Sequence, residues 1–573
     1  MDRPHSATSP TPTSGTRHAL VFASIGLLLS GAAMADARVS CPTTAAPLQD
    51  LSDLRDGIVS EGEPVVAEGI ASGVFMDEDE LGGFYLQQST GKEATGLFVY
   101  APRQTPVRPG QRLQVHGEFN RHHERPQISH VNAVHSCGYE GRPEPIELHL
   151  PEDAHRLETF SDLKVRFPQT LTVTSNRELA RYGTLTLAAD GRLRHPGQTG
   201  QDTGPSHRNR TIELDDGSYR AQPDPIPYLD EYGTRRTGST VEGLKGILTH
   251  AFGRHRIHPT ATPAWNSGER PDPPPAPALD RLRIATANLE NDFVTLGERG
   301  ASNPSERERQ TAKLDALIHA LNADLLAAVE LENATAAREG LLERLNASTR
   351  SRGEYSAIAH PAPGTDAIKV ALLYRPEQVR LLDTTADEDP VHHRPPLLGW
   401  FEHAESELRF GAVAVHFKAK SGCPDSGDID RGQGCWNLRR TEQAERLIQW
   451  IEEQQRGEFS EVPVLILGDL NAYAAEDPLQ VLHRAGKRDL VHSDPTQAYS
   501  YVFRGKAGQL DYLLGPAPMH ERVQDGDTWR VNADEPVFLG FDGRRPADGP
   551  WRASDHDPVW VDLNLDTTPR PNP

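Results

Sequence analysis

Val462-Pro-Val-Leu-Ile-Leu-Gly-Asp-Leu-Asn-Ala-Tyr473 decides how the C-terminal half of this chain folds. Val464–Leu467 is continuously apolar and bounded by a proline and a glycine, the pattern of a strand buried on both faces. Gly-Asp-Leu-Asn then breaks the run. Glycine, aspartate and asparagine end such strands because they tolerate unusual dihedrals and bond their own backbone, so a turn is the default assignment. The alternative is a site, in which the strand delivers Asp469 and Asn471 to one chemical centre. Acids, amides and histidines at other strand ends would favour the second.

They recur on both sides. Arg281–Ala287, Leu325–Glu330, Ile368–Tyr374, Leu408–His416, Gln509–Leu514 and Pro558–Leu565 read as further strands. Pro304–Asn322 reads as a helix: Asn303 can cap it, Pro304 suits the first turn, and Leu314, Leu317, Ile318 and Leu321 share one face. Asn437–Gln455 reads as a second, with Ala444, Leu447, Ile448 and Ile451 aligned. Mixed order over one large unit implies an α/β fold, a sheet core covered by helices. The strand ends present Asn288-Leu-Glu-Asn291, Glu330-Leu-Glu-Asn333, Tyr374-Arg375, His416-Phe-Lys418, Asp469-Leu-Asn471, Gln509-Leu-Asp-Tyr512 and Ser554-Asp-His-Asp-Pro558. Singly, each is a cap, a turn residue or a surface charge. As an ordered set they point to a site, because open α/β sheets gather their sites at strand ends.

The remainder of the 573 residues is bounded by composition. At roughly 100–200 residues per domain, two to four domains are expected. The net charge of −22 argues against a protein that coats nucleic acid by bulk electrostatics. It leaves room for an enzyme that holds phosphates through bound cations. Arg3, Arg17 and His18 precede the apolar run Ala19–Leu29 and the small residues through Ala33-Met-Ala35, so residues 1–35 read as a signal peptide. The run is too short to span a bilayer core of about 30 Å. The expected product is secreted or periplasmic, monomeric and without a membrane anchor. Export favours disulfides; of the three connectivities open to four cysteines, Cys41–Cys137 and Cys423–Cys435 fit the domain division best. A zinc site is the weaker alternative, since no C-x-x-C spacing occurs. Residues 266–280 read as a Pro-rich linker. Ahead of it, residues 41–140 and 146–265 carry short β-like pieces between Gly and Pro turns, the first suggesting a small barrel. Pro196–Asn209 reads as a mobile loop.

The ordered set Asn288, Glu330, Tyr374, His416, Asp469-x-Asn471, Asp511 and Asp555-His556 resembles the endonuclease/exonuclease/phosphatase superfamily, over about residues 281–565. His416-Phe-Lys-Ala-Lys-Ser-Gly-Cys and Gly432-Gln-Gly-Cys-Trp-Asn are similar to its secreted bacterial nucleases, the ExeM-like branch. Gly82-Gly-Phe-Tyr-Leu-Gln-Gln and Gly96-Leu-Phe-Val-Tyr resemble the OB-fold-like domain that precedes the catalytic domain in that branch. The resemblance implies a four-layer, DNase I-like α/β sandwich of residues 281–565, a tail at 566–573, and a nuclease acting on DNA, with RNA as a further substrate. It implies Mg²⁺, with Mn²⁺ or Ca²⁺ as alternatives, held by Glu330, Asn288 and Asp555. Asp469 would take a proton from water, Asn471 would position it, His556 fixed by Asp511 would donate to the phosphate, and His416 and Tyr374 would contact the phosphate and leaving group. Lys418, Asn291 and Arg375 would bind substrate. Glu332, two residues from Glu330, is its competitor on the same strand face. The rivals to a nuclease are a phosphatase or sphingomyelinase of the same fold, and a secreted binding or adhesion protein without activity.

Overall fold

The computed structural model describes residues 41–565, apart from 91–92, 201–203, 348–351, 407 and 493. The expected signal peptide and the tail at 566–573 lie outside the described residues.

Alternating apolar residues build the first unit. Strands β1 (Pro64–Phe75), β2 (Gly83–Thr90), β3 (Glu93–Tyr100), β4 (Gln111–His122) and β5 (Arg125–Tyr139) pair in the order β1-β2-β3-β5-β4. β4 also pairs with β1, so the sheet closes on itself around Val65, Phe84, Leu86, Val115, Phe119 and Ile128. The Cys41–Cys137 disulfide fixes the start of this unit to β5. Between Ile146 and Asn266 lies a nine-stranded sheet with Phe167, Val173, Leu187 and Leu248 in its core. The segment expected as a mobile loop contains helices at Pro196–Thr199 and Gly204–Asn209. The first is started by Pro196 and capped by His195 Nδ1, which accepts from Gly197 N at 3.1 Å.

Beyond the Pro-rich segment the strands are β6 (Arg281–Asp292), β7 (Leu325–Glu332), β8 (Ile368–Tyr374), β9 (Val379–Ala386), β10 (Leu397–His403), β11 (Arg409–His416), β12 (Val464–Asp469), β13 (Asp511–Gly515), β14 (Val523–Thr528) and β15 (Val559–Asn564). The helices are α1 (Pro304–Leu321), α2 (Thr335–Asn346), α3 (Asn437–Gln454) and α4 (Asp477–Arg484). One sheet runs β8-β7-β6-β15-β14 and the other β9-β10-β11-β12-β13, each with a two-residue strand added at one edge. Side chains from both, including Ile284, Leu325, Val370, Val561, Phe410, Leu465, Leu467 and Leu513, meet in one buried cluster. The opposite face of the first sheet packs on Leu314, Leu317 and Ile318 of α1 and Leu341 of α2. The opposite face of the second packs on Ala444, Leu447 and Ile451 of α3. Strands with two covered faces explain the continuous apolar runs at Val464–Leu467 and Leu325–Val329.

Candidate active site

Strand direction selects the residues that converge. β6 and β7 run parallel, as do β11 and β12, so Asn288, Glu330, His416 and Asp469 leave their sheets at one end. β15 is antiparallel to β6 and β13 is antiparallel to β12, which brings Asp555-His556, just ahead of β15, and Asp511, the first residue of β13, to the same end. β8 is the exception. It is antiparallel to β7, with Ile368 opposite Glu332 and Tyr374 opposite Leu325. Tyr374 and Arg375 therefore lie at the far end of the sheet, which corrects both assignments. Tyr374 packs against Phe401, and buried Arg375 donates to Asn322 Oδ1 at 2.8 Å and covers the Tyr355 ring.

The backbone is bent where the site is built. Glu290, Asn291, Glu330 and Asn471 have φ of 46°, 56°, 64° and 47°. Residues other than glycine adopt this region at a cost of about 1–3 kcal/mol and concentrate at functional sites. The register of β7 slips on both sides of Glu330. That bulge separates Glu330 from Glu332, which regular alternation would leave on one face. Glu332 turns away to accept from Val294 N, Thr295 N and Thr295 Oγ1. Glu330 Oε2 accepts from Asn291 N at 3.1 Å, so Asn291 enters the site through its backbone. Buried Asn288 accepts from Glu290 N at 2.9 Å.

His556 Nδ1 donates to Asp511 Oδ2 at 2.7 Å, and that oxygen also accepts from Ser500 Oγ at 2.6 Å. Burial pulls the imidazole toward neutrality, yet Asp511, Asp555 and Asp469 together hold its pKa well above the usual histidine range. Asp469 Oδ1 accepts from Asn471 N at 2.7 Å, and Asp469 Oδ2 lies 3.5 Å from His416 Nε2 and 4.0 Å from His556 Nδ1. Burial pushes Asp469 up to about 7 against the opposing pull of His556. His416 is driven well below the ordinary value by burial and by Arg394 and His556, so it stands neutral. Asn471 donates Nδ2 to Phe417 O at 3.2 Å, which ties the end of β12 to the end of β11.

Three acids near this network, Glu330, Glu290 and Asp555, act on one another. Desolvation and Asp555 raise Glu330, and the same two causes push Glu290 up to about 8. His556 and Arg394 offset the rise of Glu330, and Arg552 that of Glu290, without cancelling it. Oxygen donors suit a hard divalent cation, so Glu330, Glu290 and Asp555 fit a Mg²⁺-type ion by their chemistry. Among the described residues, the acids and histidine whose ligand atoms all lie within 4.8 Å of one another are Asp469, Asp511 and His556. In that group the His556–Asp511 hydrogen bond already occupies the facing atoms, which makes it a proton network first. Glu290 escaped the sequence assignment, although it shares the stretch Asn288-Leu-Glu-Asn291 and alternation sets it two residues from Asn288.

Two arginines and the second disulfide fix the neighbouring loop. Arg394 is buried and donates Nε to His416 O at 3.1 Å and Nη2 to Phe417 O. The adjacent His392 is buried against Asp387 at 3.2 Å. Arg440 is buried and donates to the carbonyls of Lys418, Cys435 and Gln433, so it organises the loop closed by Cys423–Cys435. Lys418 Nζ lies over the Trp436 ring at 5.1 Å.

Residues 285–556 match the model of the Endonuclease/Exonuclease/phosphatase family. The segment opens on β6 and closes at His556, so it spans every converging residue above. A comparison with curated proteins finds no match. Among solved structures, the human Nocturnin catalytic domain with bound sulfate is similar at 16% identity and a TM-score of 0.35, over 50% of this chain and 95% of that one. An endonuclease/exonuclease/phosphatase from Bacteroides vulgatus is similar at 18% identity and a TM-score of 0.35, over 50% and 99%. A mannosyl-6-phosphatase from Bacteroides thetaiotaomicron is similar at 16% identity and a TM-score of 0.34, over 49% and 99%.

Proposed function

We propose that this chain is a secreted, divalent-metal-dependent phosphodiesterase, a sequence-nonspecific nuclease that cuts extracellular DNA to 5′-phosphate and 3′-hydroxyl ends. The observation that carries the proposal is the meeting of two carboxylate–histidine contacts, Asp511–His556 and Asp469–His416, with the Glu330, Glu290 and Asp555 cluster. In this reading the sheet pair with its outer helices is a DNase I-like four-layer sandwich, and the closed barrel ahead of it is OB-like, in keeping with an ExeM-like enzyme. Barrels of that kind commonly bind nucleic-acid strands, which favours a polymer over a phospho-headgroup.

A bound Mg²⁺, or Mn²⁺ or Ca²⁺ in its place, supplies charge neutralisation to the phosphoryl oxygens. The chain's own residues do the rest. Asp469, with a pKa near neutrality, takes the proton of the attacking water, because a base works best when its pKa lies near the working pH. Asn471 holds that carboxylate and orients the water. His556 is kept protonated by three carboxylates and donates from Nε2 to a non-bridging oxygen as charge develops there. Asp511 fixes the ring through Nδ1. Neutral His416 keeps Asp469 in place without adding a proton.

The test uses plasmid DNA and bis-p-nitrophenyl phosphate, with Mg²⁺ or EDTA, beside Asp469→Ala and His556→Ala. Mg²⁺-dependent cleavage of both substrates is expected, with each variant slower by about 10²–10⁴-fold, the usual contribution of a positioned acid or base. Intact plasmid under every metal condition sinks the nuclease proposal. Hydrolysis of sphingomyelin or a phosphomonoester in its place installs the alternative chemistry.

A further inference from the structure

Beside His556 stands a hairpin that the catalytic chemistry does not use. Tyr501–Phe503 and Lys506–Gly508 pair antiparallel across Arg504-Gly505, whose φ values of 49° and 78° are those of a tight two-residue turn. Tyr501 and Phe503 are two residues apart and share a face, with rings 6.4 Å apart and 15° from parallel. Lys506 sits directly opposite Phe503, and the Arg504 guanidinium lies 5.2 Å from the Phe503 ring centre. At the inner end, the Tyr501 ring lies 4.6 Å from the His556 imidazole. At the outer end Phe503 is 42% exposed, a large apolar surface next to two cations. Among the described residues neither Arg504 nor Lys506 has a carboxylate within ion-pair distance, in a chain of net charge −22.

The hairpin does not stand alone. Leu193–Arg194 of the middle region adds a third strand in parallel to Lys506–Ala507. His195 N donates to Ala507 O at 2.9 Å, and Gln198 Oε1 accepts from Gln509 N at 2.9 Å, two residues before Asp511. The His195 ring stacks on Tyr473 at 3.9 Å, two residues beyond Asn471. The Gly505 turn rests against Thr174 and Ser175. An exposed two-stranded hairpin is marginal in water, whereas one completed by a third strand is rigid enough to position a ligand.

We propose that this hairpin, braced by the middle β region, is the platform that seats the nucleotide flanking the scissile phosphate. The base stacks on Phe503 and Tyr501, and Arg504 and Lys506 meet the next phosphate. Flat aromatic faces beside cations are the chemistry that holds single nucleic-acid strands without base preference. The inference rests on the nuclease reading.

Full-length protein with Mg²⁺ is compared on a single-stranded oligonucleotide and on bis-p-nitrophenyl phosphate, which carries neither a nucleobase nor a second phosphate. Phe503→Ala should lower kcat/KM on the oligonucleotide by about tenfold or more, by the scale of base–aromatic stacking, mostly through KM. It should change bis-p-nitrophenyl phosphate turnover less than twofold, and Phe503→Trp should restore oligonucleotide cleavage. Arg504→Ala with Lys506→Ala should lower the slope of log kcat/KM against log salt by roughly 0.7, the value for one phosphate neutralised on a single strand. Equal losses on both substrates assign Phe503 a packing role and overturn the platform. Undiminished oligonucleotide cleavage by Phe503→Ala overturns it as well. A wild type that cleaves bis-p-nitrophenyl phosphate but no nucleic acid removes the nuclease reading and the platform together.

Discussion

Glu330 and Glu332 show how far single residues can be read. Both are acids at the end of the same strand, and alternation gives no reason to separate them. The bulge at Glu330 separates them, and a bulge is a product of pairing with β6 and β8 that the strand's own sequence does not announce. Asp469, Asp511 and His556 are legible because their chemical types are costly to bury without a purpose. Arg394 is not, because what it does depends on carbonyls more than twenty residues away. The buried acids also make a pH prediction. Asp469 and Glu290 rise from ordinary values of 3.8 and 4.5 to about 7 and about 8. At these two groups the folded protein without metal binds more protons than the unfolded chain between roughly pH 4 and pH 8, and they lower its stability as pH rises through that window. In the proposed site a divalent cation would take the place of the Glu290 proton, so Mg²⁺ should raise the Tm of EDTA-stripped protein more at pH 8 than at pH 5. Thermal melts at the two pH values, with and without Mg²⁺, check this; equal shifts at both would refute the site.

At the scale of elements, long apolar runs and capped helices are readable, and direction is not. β7, β8, β11, β12, α1 and α3 fall within a residue or two of where periodicity sets them. Tyr374 and Arg375 are misplaced by sequence because a strand is silent on whether its end faces the site. β9 and β10 escape it altogether, their apolar residues being interrupted by Gly399 and by the Pro-rich loop between them. The opening turn gives the sharpest elemental test. Gly468 has φ 139°, and a Cβ there would come 2.0 Å from Val415 O on the neighbouring strand. No side chain moves to relieve that, since the obstacle is backbone, one pair from the end of the β11–β12 ladder. Gly468→Ala should lower stability by at least about 2 kcal/mol, the scale of overpacking in a closed core, and displace Asp469 with it. Urea denaturation reads the first effect and bis-p-nitrophenyl phosphate turnover the second. A variant with an unchanged midpoint would show that this turn is freer than its geometry.

For the molecule as a whole, the Pro-rich segment suggests domains joined by a spacer, and long-range polar contacts make the middle region and the two sheets one body. Arg236 Nη1 meets Glu535 at 2.9 Å, Thr234 Oγ1 donates to the same carboxylate at 2.7 Å, and Arg270, inside the supposed spacer, reaches it at 2.9 Å. Arg192 meets Asp534 at 2.7 Å, and Asn176 Nδ2 donates to Asp534 O at 3.0 Å. Partners about 300 residues apart leave no local trace in a sequence, which is why the junction is legible only as a change of texture. Glu535 and Asp534 are buried, and without Arg236 they are left to Arg270, Thr234 and Arg192. Arg236→Ala should therefore destabilise by about 1.5–3 kcal/mol, the scale of a hydrogen bond to a charged group. Arg112→Ala, which removes an exposed partner of Glu68 and Glu140, should change stability by about 1 kcal/mol or less. Because the broken contact joins two units, calorimetry should show the middle region and the sheets melting in one transition that Arg236→Ala shifts as a whole. Two transitions in the wild type, with only one of them moved by the substitution, would mean that the units fold independently and that the platform beside His556 is only lightly held.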